Sequence, residues 1–148
     1  MKKILLTLLL FWSVVLAQHN AHITAPQGVQ EISAKSLFEL IQKDVDDLHL
    51  LDIREPDQIG HGEIFHLNLV KITRGYLEFK VEKAFPDKKA RIIVYCCTGK
   101  RGKLATKTLK DMGYTNVYSL QGGIRGWVDA GYPLDTVYGE VLLKSTLK

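Results

Sequence analysis

Ile92-Ile93-Val94-Tyr95 is the segment that most limits the fold of this 148-residue chain. It has the length and β-branched character of a strand, and it carries no charge on either of its alternating faces. A strand that is apolar on both faces must be covered on both, which is the condition of a mostly parallel sheet enclosed by helices. The segment that follows agrees. Cys96 to Gly102 runs on directly, and Leu104, Ala105, Thr108, Leu109 and Met112 then recur at helical spacing until a stop at Gly113.

Strand and helix signals alternate along the rest of the chain. Residues 29–32 read as a short strand. Ser33 caps a helix with Leu37, Phe38, Leu40 and Ile41 on one face. Residues 49–53 form a buried strand, which Glu55-Pro56-Asp57 breaks. Residues 64–72 form a strand-like stretch of imperfect alternation, and residues 74–85 a helix ended by Pro86-Asp87. Residues 116–120 form the last strand. Gly122-Gly123 then introduces a short helix carrying Trp127, which Tyr132-Pro133 ends. The order predicts a single α/β domain over residues 29–135, with a central, mostly parallel sheet and helices on both faces. Residues 18–28 read as a flexible lead-in and 136–148 as a C-terminal tail.

The first residues stand apart from this domain. Lys2 and Lys3 precede an apolar run from Ile4 to Leu16, and Val15-Leu16-Ala17 places small residues where a signal peptidase cuts. The run is shorter than the roughly 20 residues a spanning helix needs. Residues 1–17 are therefore expected to be a cleaved signal peptide, and the protein to be periplasmic or secreted. Cleavage would remove two of the charges behind the formal net charge of +4. So small a surplus does not make the basic stripe that nucleic-acid binding requires, and no nucleic-acid partner is expected.

Cys96 and Cys97 are the only cysteines, and they are adjacent. This excludes a disulfide framework and a four-cysteine zinc site. His19 and His22 lie in the lead-in, and His49, His61 and His66 lack ligand spacing to the cysteines, so no metal is expected. Cys96 falls at the carboxyl end of the strongest strand, where open α/β sheets bind ligands. A short glycine-bearing turn into a helix can aim several backbone N–H groups at one point. If that point is the Cys96 sulfur, the thiolate is favoured. Lys100, Arg101 and Lys103 add positive charge that draws a small anionic substrate. Read alone, Cys96 fits better as a small buried hydrophobe ending a core strand, and the whole strand–Cys–Gly–Arg–helix arrangement reverses that preference.

Three motifs in order then resemble the rhodanese-like sulfurtransferases. Val94-Tyr95-Cys96-Cys97-Thr98-Gly99-Lys100-Arg101 is similar to their active-site loop, in which Cys is followed by four residues and then Arg. Leu51-Asp52-Ile53-Arg54-Glu55-Pro56 resembles the upstream signature. Leu120-Gln121-Gly122-Gly123, with Trp127, Gly131, Tyr132, Pro133 and Leu134, resembles the C-terminal one. The chain departs from the family where Gly62-Glu63-Ile64 stands in place of Gly-His-Ile, and where Gly102 follows the loop arginine. Ile72-Thr73-Arg74-Gly75, with Leu77-Glu78, is also similar to the periplasmic polysulfide-sulfur transferase branch.

The resemblance implies an enzyme whose Cys96 takes sulfane sulfur from thiosulfate or polysulfide as a persulfide and passes it to a thiol or cyanide. It implies no metal or organic cofactor. Cys97, Thr98, Gly99, Lys100, Arg101 and Arg54 would bind the donor. Asp52 and Arg54 also fit a structural ion pair at a strand end. Cys97 is either passive or a resolving thiol, and the strain of bridging adjacent cysteines favours the passive role. Related phosphatases space Cys and Arg by five residues, and the four residues here make a smaller cradle. The alternative function is a sulfane-sulfur carrier that delivers to a partner, for instance a membrane enzyme of sulfur metabolism. A small single domain also leaves surface for a homodimer.

Overall fold

A computed structural model describes residue 26 and residues 28–143. The expected signal peptide and most of the lead-in lie outside the described residues. Five strands form one parallel sheet: β1 (Glu31–Ile32), β2 (Leu48–Asp52), β3 (Leu69–Lys71), β4 (Arg91–Tyr95) and β5 (Val117–Leu120). Their order is β1-β5-β4-β2-β3, so the strand that ends at Cys96 is central. Tyr95 lies beside Asp52, and Val94 beside Ser119.

Among the described residues, five helices punctuate the strands: α1 (Ala34–Gln42), α2 (Pro56–Ile59), α3 (Leu77–Ala84), α4 (Lys100–Asp111) and α5 (Gly123–Asp129). The period-2 alternation of the strands divides the core into two layers. Leu51, Ile53, Ile92 and Val94 pack with Leu77 and Val81 of α3 and Ala105 and Leu109 of α4. Leu48, Leu50, Ile93 and Tyr95 pack on the other face with Leu37 of α1 and Trp127 of α5. Each fully buried aliphatic side chain contributes about 1.5–3 kcal/mol. The expected two-sided sheet is thus present.

Local signals act as the sequence implies at several ends. Ser33 caps α1, with its Oγ accepting from the Ser36 N–H at 3.1 Å. Trp127 is buried and donates from Nε1 to the Pro133 carbonyl at 2.7 Å, while Phe38 stacks on Tyr132 with ring centroids 4.4 Å apart. These two aromatic residues of the C-terminal motif therefore serve packing and a turn.

Glu55-Pro56-Asp57 follows the end of β2 as expected, and Pro56 also starts α2, because Glu55 and Gln58 close a capping box around it and proline is tolerated at the first helical position. Three local expectations are corrected. Only Leu69–Lys71 of the stretch 64–72 pairs as a strand. Its alternation fails because Ile64 is buried while Phe65 and Leu67 are 59% and 83% exposed. The stretch 74–85 begins with a 3-10 turn, Arg74–Tyr76, before α3. The expected tail begins inside an antiparallel hairpin of β6 (Leu134–Thr136) and β7 (Gly139–Val141), anchored by buried Leu134 and by reciprocal Glu63–Asp135 backbone bonds of 2.9 Å.

Candidate active site

Parallel pairing brings the carboxyl ends of β2, β4 and β5 to one edge of the sheet. The segments that leave those ends build the site. Alternation along β4 turns Cys96 to the same side as Ile92 and Val94, the side on which α4 packs. Cys96 is 1% exposed, and its Sγ accepts the Gly102 N–H from the first turn of α4 at 3.4 Å. That turn presents the unpaired amides and the positive end of the helix dipole to the sulfur.

α5 shapes the loop from behind. Its Ile124 N–H donates to the Cys96 carbonyl at 2.8 Å, and the Arg125 N–H donates to the Cys97 carbonyl at 3.0 Å. The peptide bonds of the described residues are all trans, so each fixed carbonyl turns the following N–H to the opposite side. The amides of Cys97 and Thr98 therefore point away from α5. Among the described residues, the N–H groups from Cys97 to Arg101 have no protein acceptor. The result is a loop of free donors that follows Cys96, whose sulfur accepts the Gly102 N–H at the loop's far end.

Two glycines make the close approach achievable. Gly99 has φ of +84° where the loop enters α4, and Gly123 has φ of +59° at the start of α5. A Cβ on Gly123 would collide with the Cys96 carbonyl oxygen and stand 2.7 Å from the Gly99 nitrogen. Both positions thus require a residue that adopts left-handed backbone without steric cost.

The side chains expected at the site divide into distinct roles. Arg101 donates from Nη2 to Gln58 Oε1 at 2.6 Å and to Cys97 Sγ at 3.4 Å, with Glu55 Oε1 at 3.8 Å from Nη1. Cys97 is half-buried, and Thr98 and Lys100 are exposed. Lys100 makes no ion pair among the described residues, whereas Lys103 is bridged to Glu31 at 3.1 Å. Lys100 is thus the loop cation without an ion pair among the described residues, and Arg101 has only the longer, 3.8 Å approach of Glu55.

Arg54 is a correction to the expected substrate-binding set. It is 2% exposed, and its donors are directed inward. Nε and Nη2 bind the Asp52 carboxylate at 3.0 and 2.7 Å, Nη1 binds the Gln58 carbonyl at 3.0 Å, and Nη2 binds the Gly62 carbonyl at 2.8 Å. Burial lowers the Arg54 pKa, but the Asp52 hydrogen bond and charge outweigh it and hold the guanidinium above its ordinary value. The structural reading of Asp52 and Arg54 is the one the geometry supports.

Sequence reasoning missed Gln58, Glu55 and the Ile124 and Arg125 amides. The capping pattern around Pro56 and the Gly122-Gly123 pair were the available signals, but neither indicates contact with a loop some 40 residues or more away in one case and over 20 in the other.

Comparison with known proteins places these features in context. Residues 33–130 match the Rhodanese-like domain family. The chain is 32% identical over 112 residues to the thiosulfate sulfurtransferase GlpE of Actinobacillus succinogenes, spanning 74% of this chain and 93% of that protein. It is similar to the polysulfide-sulfur transferase homodimer of Wolinella succinogenes, with 31% identity, a TM-score of 0.64, and coverage of 84% of this chain and 88% of that one. A Rhodopseudomonas palustris protein of unknown function, described as a possible tyrosine phosphatase, is 30% identical with a TM-score of 0.67. That match covers 74% of this chain and 87% of the other.

Proposed function

This chain belongs to the rhodanese-like family, and on that premise we propose that it is a sulfurtransferase that carries sulfane sulfur on Cys96. The observation that carries the reading is the run of amides from Cys97 to Arg101, without a protein acceptor among the described residues, that leads from Cys96 to the Gly102 N–H bonded to its sulfur. The Cys96 thiolate attacks the outer sulfur of thiosulfate. The sulfur–sulfur bond breaks, and sulfite leaves with the electron pair. With polysulfide, the leaving group is a shorter chain. The loop amides hold the new terminal sulfur anion as an oxyanion hole holds oxygen. A thiolate or cyanide then attacks that sulfur and returns Cys96 as thiolate.

The four-residue spacing between Cys96 and Arg101 supports a sulfur donor over a phosphate ester, because a smaller loop encloses a smaller group. The amino-terminal pattern supports action in the periplasm or outside the cell, on sulfur compounds delivered there. A second copy is the proposed partner. The exposed Val137, Tyr138 and Leu142 at the β6–β7 hairpin supply apolar surface for it, in keeping with the homodimer formed by the Wolinella succinogenes protein.

Steady-state assays with thiosulfate plus cyanide, and with polysulfide plus cyanide, test the reading. Turnover with either donor supports the enzyme. Near-zero turnover with a stable one-sulfur adduct favours a carrier that delivers to another enzyme. Hydrolysis of an aryl phosphate without sulfur transfer would overturn both. Gly123→Ala should displace the loop carbonyl of Cys96 and lower kcat/KM roughly hundredfold, the scale of an ångström-sized misplacement of reacting groups. Parallel thermal melts show whether the loss exceeds that of global stability.

A further inference from the structure

Arg101 is held at the mouth of the loop by an uncharged partner. Its Nη2 lies 2.6 Å from Gln58 Oε1. The carboxylate of Glu55 stands farther off, at 3.8 Å from Nη1, and is 45% exposed, so water screens it. Gln58 is itself fixed at both ends. Its Oε1 accepts the Glu55 backbone N–H at 3.3 Å, and its carbonyl accepts from the buried Arg54 at 3.0 Å. The carboxamide cannot swing away without opening the cap of α2.

We propose that Gln58 is a positioning residue that sets preference for anionic donors. It fixes Arg101 over the Cys96 loop without neutralising it, so that Arg101, together with Lys100, takes the charged end of the donor. A glutamate at this position would have the same reach and would still cap α2. It would also form an ion pair with the guanidinium and cancel the charge that the donor meets. The proposal rests on the sulfurtransferase reading and adds to it the residue that governs donor binding.

Thiosulfate kinetics of Gln58→Glu and Gln58→Met test it. Gln58→Glu should raise the thiosulfate KM roughly tenfold while kcat stays within about twofold, the split of a ground-state binding contact. It should also flatten the fall of kcat/KM with added salt, because less charge is left to screen. Gln58→Met removes the acceptor and adds no charge, so it should keep the wild-type salt dependence. An unchanged thiosulfate KM and salt dependence in Gln58→Glu would overturn the proposal, as would equal flattening in both variants. If the wild type forms the Cys96 persulfide in these cases, only the role of Gln58 falls. If the wild type forms none, the sulfurtransferase reading falls with it.

Discussion

Cys96→Ser is expected to reduce sulfur transfer to the uncatalysed background, while Cys97→Ser keeps most of the activity. The two thiols are neighbours in sequence but not in function. Cys96 continues the inward alternation of β4, is buried, and faces the first turn of α4. Serine at that position keeps the shape but supplies a hydroxyl, which neither ionises readily nor forms the sulfur–sulfur bond on which transfer depends. Cys97 contributes mainly its backbone: its carbonyl is bonded to Arg125 and its N–H faces away from α5. Its Sγ accepts one hydrogen bond among the described residues, from the Arg101 guanidinium at 3.4 Å, which a hydroxyl can replace. Thiosulfate:cyanide turnover of both variants is the measurement, and equal loss in the two would remove the distinction.

Arg54→Leu is expected to destabilise the fold by about 3–5 kcal/mol, the cost of leaving a buried charge without its partner. Asp52 is fully buried, and Arg54 supplies its ion-pair partner at 2.7 Å. The damage should extend to the site. Arg54 also holds the Gln58 and Gly62 carbonyls, so its loss frees α2 and with it the partner of Arg101. Urea unfolding of Arg54→Leu and Asp52→Asn should give lowered midpoints for both. A double replacement by apolar residues of similar volume should recover much of the loss. A midpoint for Arg54→Leu close to that of the wild type would mean that the pair does not carry the β2 turn.

The parts of this architecture that were legible in the sequence are those with strong periodic signals. Ile92–Tyr95 has no polar face, so its placement at the sheet centre follows from burial alone, and α4 follows from its apolar spacing. The loop between them was legible because Cys96, Gly99 and Arg101 sit where a strand turns into a helix. The misread segments lack such regularity. Residues 64–72 mix buried and exposed apolar side chains, because Ile64 enters the core while Leu67 faces outward. The hairpin after residue 133 has strands of only three residues, too short for alternation to show. Arg54 was read as a ligand contact as well as an ion-pair partner because its sequence position does not reveal its burial. Gln58 lies 43 positions before Arg101, and only the fold brings them together.

Intact mass after incubation with thiosulfate, and separately with polysulfide, tests the central claim most directly. The wild type should gain the mass of one sulfur atom per chain from at least one donor and lose it on addition of cyanide, and Cys96→Ser should gain none. No adduct in the wild type, or the same adduct in Cys96→Ser, would contradict the assignment of Cys96 as the sulfur-carrying residue.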